Sequence, residues 1–181
     1  MGFIFLKMKK EDLNQDLVPQ YYRHYVCQVL DSHLLEALVE GKNNFETLIG
    51  EISDDKFLYA YAEGKWSVAE VLLHIIDTER VFQYRSLRFA RKDTLALPGF
   101  DQDIFVIGSN ANERTIGDIL EEFLSVRNAS ISLFKSFKGE QLNASGIASD
   151  VSISVAAMGF IICGHQIHHT KIIRDKYLQD I

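Results

Sequence analysis

The sequence predicts an all-α protein, an up-down four-helix bundle with a long connection between its second and third helices. Three observations carry this. Apolar residues recur at helical spacing over four long stretches, only two prolines (Pro19 and Pro98) interrupt 181 residues, and no solenoid period or low-complexity tract competes. A chain of this length buries about 70% of the surface its unfolded form exposes, so neither a disulfide nor a structural metal is needed to fold it.

Between about Asp31 and Ile52 the residues Leu34, Leu35, Leu38, Phe45, Leu48, Ile49 and Ile52 fall at spacings of three, four and seven. They form one face of a first amphipathic helix. Ser67-Val-Ala-Glu70 is a capping box with Trp66 placed to staple against Val71, so a second helix starts at Ser67 and runs to about Ala90. A third begins near Thr115, whose hydroxyl can cap with Asp118 three residues on, and stops at Gly139. The fourth runs from about Ser152 to Leu178 and takes in the longest apolar run, Val151 to Cys163. That run is too short and too interrupted by serines to span a bilayer, which takes about 20 residues. The stretch from Ala90 to Thr115, with Leu97-Pro-Gly-Phe-Asp-Gln-Asp103, is long for a bundle connection and is expected to cover a site or an interface. Residues 1–19 read as an N-terminal extension and 20–181 as the bundle domain.

Composition narrows the function classes. Hydrophobic residues at 47% and charged residues at 24% fit a water-soluble globule and argue against disorder. A net charge of −6 gives no electrostatic basis for gripping nucleic acid or an anionic membrane surface. Cys27 and Cys163 form neither a CxxC pair nor a disulfide framework, which fits a reducing cytoplasm. The N-terminus places about five apolar residues ahead of its lysines, the reverse of a secretory signal, and Leu6 stands where an acylation motif wants Ser or Thr.

The chemistry concentrates in the histidines. His165 and His169 of GHQIHH lie about 40° apart on one helix face, one turn from each other, so both rings can reach one ion. His168 lies about 60° to the other side, a plausible neighbour but a worse-placed ligand. Spacing alone leaves the pair as metal ligands or as hydrogen-bonded core imidazoles. His74 on the second helix is the candidate third ligand, with Asp77 one turn on as an orienting group, an acid or base, or the partner of Arg80 or Arg85 in a surface ion pair. Arg85, aligned with His74 three turns along, and Tyr84 are candidates for binding an anionic substrate. Glu70 reads as a capping residue, Glu79 as a structural contact, Asp101 and Asp103 as turn residues, and Cys163 as a buried thiol. His24 and His33 have no partner at ligand spacing and read as surface or capping residues.

The segments GKWSVAEVLLHIIDTERVFQYRSLRFAR, LPGFDQD, ASISLF and GHQIHHTKIIRDKYL, in this order, resemble the DinB/YfiT-like superfamily of four-helix-bundle metalloproteins over about Gln20 to Leu178. The resemblance implies a divalent metal on an all-histidine triad, one ligand from the HxxD segment and two from the HxxxH, which fall on His74, His165 and His169. It also implies either metal-dependent hydrolysis or transfer involving a low-molecular-weight thiol. Three neutral imidazoles leave a coordination position for water or a small-molecule substrate, the pattern of a catalytic rather than a structural site. Zinc or nickel is the expected ion, with iron or manganese as further options. A non-catalytic metal- or ligand-binding protein on the same bundle is the alternative, and a homodimer is compatible with either reading.

Overall fold

Ser67 Oγ accepts a hydrogen bond from the Glu70 N–H at 3.2 Å and Glu70 returns one to the Ser67 N–H at 2.7 Å, so the capping box opens a helix where the sequence places it. The structure is a computed structural model and describes residues 8–179; the readings of residues 1–7 lie outside them, as do the last two residues of the expected domain. In chain order the helices are α1 (Arg23–Gln28), α2 (Leu34–Glu51), α3 (Asp54–Phe57), α4 (Val68–Ala90), α5 (Gln102–Gly108), α6 (Ile116–Ser136), α7 (Gly139–Leu142) and α8 (Val155–Lys176). A hairpin of β1 (Ser145–Ala148) and β2 (Val151–Ser154) stands between α7 and α8.

The four long helices α2, α4, α6 and α8 make the bundle. Helix α2 packs between α6 and α8 and lies diagonally from α4. Directions alternate from α2 to α4 and from α6 to α8, but α4 and α6 run parallel: Arg80 pairs with Glu122, and Gln83, further along α4, donates to Ser130 Oγ, further along α6, at 3.1 Å. The long connection makes this possible, because residues between Ala90 and Thr115 carry the chain back along the bundle. Helices α4 and α8 are antiparallel, as Tyr177 Oη donating to the Trp66 carbonyl at 2.9 Å shows.

Two boundaries differ from expectation. Helix α6 ends at Ser136 with Phe137 extended, and Gly139 opens α7 rather than closing α6. The fourth long helix starts at Val155, not Ser152. Ser149 and Asp150 take positive φ values of 51° and 62°, the two-residue turn that suits a twisted hairpin, and Ser154 then caps α8 by accepting from the Ala157 N–H at 3.2 Å. The residues ahead of Gln20 contribute Met8, Leu13 and Val18 to the buried core. No described helix is long and apolar enough to cross a membrane.

Candidate metal centre

Because α4 and α8 are antiparallel, His74 in the first third of α4 meets the middle of α8. His74 Nε2 lies 3.0 Å from His165 Nε2, and His169 Nε2 lies 3.1 Å from the same atom. Ligand-capable atoms of the three rings all fall within 4.8 Å of one another, so the group could hold a metal ion. His74 and His165 are buried and His169 is half-buried.

Burial disfavours charge on all three. It brings His74 down to about 4, and burial with the neighbouring His74 and His168 rings brings His169 down to about 3. His165 is held well below the ordinary imidazole value by burial first and then by His169 and His74. All three rings are therefore neutral near pH 7, the form in which imidazole binds a cation. Aromatic neighbours fix them: the Trp66 ring centroid is 4.9 Å from His74 and that of Tyr25 is 5.2 Å from His165. Tyr25 comes this close because Gly164 has no side chain; a Cβ there would stand 2.0 Å from the Tyr25 carbonyl oxygen.

The other predicted residues divide. His168 packs edge-on to Tyr25 and His24 and stays outside the converging group. Asp77, pushed up by burial, faces Arg80 at 3.5 Å and makes no hydrogen bond to the three histidines among the described residues. Tyr84 is 52% exposed and engages Arg88, so it stands on the surface. Arg85 is buried, and its Nη2 donates to the Pro98 carbonyl at 2.8 Å and to Ser149 Oγ at 2.9 Å. Its guanidinium thus ties the long connection to the hairpin turn. Glu79 pairs with Arg127, His33 opens α2 with its N–H donated to Glu36 at 3.1 Å, and burial pushes the Cys163 thiol up to about 12. Asp101 caps α5 by accepting from the N–H groups of Asp103 and Ile104.

Two clefts flank the triad. One, of about 320 Å³, includes His74 and His165 with Tyr22, Tyr25, Phe82 and Phe100 in its wall. The other, of about 250 Å³, reaches His169 past Trp66, Lys65 and Asp103. The long connection supplies Gly99, Phe100 and Gln102 to the first cleft, so it covers the site as its length suggests. Sequence reading missed the tyrosines of α1 and the short turn before it. Their signal was the spacing of Tyr21, Tyr22 and Tyr25, one helical face of aromatic rings.

A model of the DinB superfamily matches residues 37–173, three quarters of the chain, and takes in all three histidines of the group. The chain belongs to the DinB superfamily. A protein of Oceanobacillus iheyensis, named as a candidate metal-dependent hydrolase, is 25% identical to this DinB-superfamily chain over 134 residues, covering 73% of this chain and 76% of the relative. YfiT of Bacillus subtilis, described as a candidate metal-dependent hydrolase with an unusual four-helix-bundle topology, superimposes with a TM-score of 0.71 at 15% identity. The match covers 78% of this chain and 82% of YfiT, and at that identity it speaks for the fold.

Proposed function

We propose that this DinB-superfamily chain is a hydrolase that acts on a small molecule through a divalent metal ion held by His74, His165 and His169. The observation that carries the reading is the pair of close contacts at His165 Nε2, 3.0 Å to His74 and 3.1 Å to His169. One ring nitrogen has either a single lone pair or a single N–H, so it cannot form two good hydrogen bonds at once. A cation accepting one lone pair from each neutral ring removes the conflict, and an all-nitrogen donor set suits zinc or nickel, as it does copper and iron. His74, His165 and His169 would hold the ion, and a divalent ion bound by three imidazoles would supply Lewis-acid chemistry there, lowering the pKa of a water to about 7 or polarising a carbonyl.

The chain's own residues orient and enclose. Trp66 packs tilted against the His74 ring and Tyr25 edge to face against that of His165, and Arg85 holds the covering connection in place through Pro98. The name carried by the Oceanobacillus relative supports the same reaction class.

The test is turnover by the zinc- or nickel-loaded protein against a panel of small esters and amides. Hydrolysis that disappears on chelation and in His169→Ala supports the reading. Conjugation of an added low-molecular-weight thiol without hydrolysis would move the assignment to a transferase, and metal binding with no turnover would leave a binding protein.

A further inference from the structure

The cleft that opens on His74 and His165 is walled by rings. Tyr22 packs edge-to-face on Phe82 with centroids 5.5 Å apart, Tyr25 stands 5.2 Å from His165, and Phe100 closes the side supplied by the long connection. No Asp, Glu, Lys or Arg is among its lining residues. Arg85 stands against two of these rings, with its charged end 5.6 Å from the Phe82 centroid and 5.9 Å from that of Phe100. Its Nη2 already donates to the Pro98 carbonyl and Ser149 Oγ. An anion entering the cleft would therefore meet no Lys or Arg in its lining, and burying an unpaired charge is costly. A flat apolar ring would find several aromatic neighbours to stack on.

We propose that this cleft takes an uncharged small molecule bearing an aromatic ring, seated between Tyr22, Tyr25, Phe82 and Phe100 with its polar group toward His74 and His165. The orientation of the polar group rests on the metal-site reading; the preference for a neutral ring rests on the wall alone. Arg85 is a positioning residue for the connection and not the anion receptor that its alignment with His74 suggests.

The experiment is calorimetric titration of the full chain, metal-free and zinc-loaded, with acetanilide, its anionic analogue 4-acetamidobenzoate, and N-cyclohexylacetamide. Acetanilide is expected to bind at least about ten-fold more tightly than either analogue to the metal-free protein, because the anion lacks a partner and the saturated ring cannot stack. Phe100→Ala, a change in a half-buried loop residue, should weaken acetanilide several-fold while circular dichroism stays unchanged. Equal or tighter binding of the anion to the metal-free protein, undiminished binding in Phe100→Ala, or no acetanilide binding at millimolar concentration would each overturn the proposal. If acetanilide binds with this selectivity while zinc does not bind at all, the neutral-ring cleft stands and the metal reading fails. If zinc binds stoichiometrically and acetanilide does not, the reverse holds.

Discussion

Arg127 of α6 donates two hydrogen bonds of 2.8 Å, from Nε and Nη2, to the carboxylate of Glu79 on α4, and both side chains are almost fully removed from water. Nη1 donates a third, at 3.1 Å, to the Leu38 carbonyl of α2. One guanidinium thus ties three helices together, through a carboxylate that lies five residues beyond His74 on α4. Glu79→Ala leaves that guanidinium buried and unpaired and is expected to cost about 3 to 5 kcal/mol. Urea unfolding of the metal-free protein checks this: the midpoint should fall at unchanged slope, and a loss below about 1 kcal/mol would mean the pair is solvated in solution.

Replacing His165 or His169 with Ala should abolish stoichiometric zinc binding, whereas His168→Ala should keep most of it. The reason is placement: His168 turns toward Tyr25 and His24 while its neighbour faces His165. Elemental analysis of the three purified variants gives the answer. Zinc lost in His168→Ala and kept in His169→Ala would reassign the ligand.

Acid should destabilise the metal-free protein from about pH 6.5 downward. His74 and His169, brought down by burial to about 4 and about 3, stay neutral in the fold while the unfolded chain takes up protons near 6.5. Their stabilisation is complete above 6.5 and is lost as pH falls toward those lowered values, by up to about 1.4 kcal/mol per pH unit for each ring. Zinc affinity should fall over the same range, since protons and the ion compete for the same lone pairs. Denaturation midpoints between pH 4 and 8 check the first expectation, and His169→Ala should flatten the slope.

Much of this was legible in the sequence where one local interaction decides the outcome. Ser67 with Glu70 and Thr115 with Asp118 fix helix starts within a single turn, and the spacing of His165 and His169 fixes a shared face. The hairpin was not legible, because Val151 to Cys163 is one apolar run and periodicity cannot separate a buried strand from a buried helix. Its marker was the Ser149-Asp150 turn. The parallel course of α4 and α6 was hidden for another reason: a long connection permits either direction, and only contacts such as Gln83 with Ser130 decide. The contacts of Arg85 were hidden as well, because helical alignment with His74 says nothing about Pro98 and Ser149, which reach it from elsewhere in the chain.

Chelation should cost activity before helicity. A buried core that includes Phe45, Phe89, Phe123 and Phe160 is complete without any ion, so the metal-free chain is expected to remain folded and the loaded form to melt higher by linkage. Circular dichroism with and without a strong chelator tests this. Collapse of the helical signal at room temperature would make the triad a structural site.

The most direct test of the metal centre is anomalous diffraction from crystals of the zinc-loaded protein at the metal absorption edge. One strong peak is expected about 2.0 to 2.1 Å from a ring nitrogen of each of His74, His165 and His169, with a fourth position facing a cleft. A peak bonded instead to His168, Asp77 or Asp101, or no peak between α4 and α8, would contradict it.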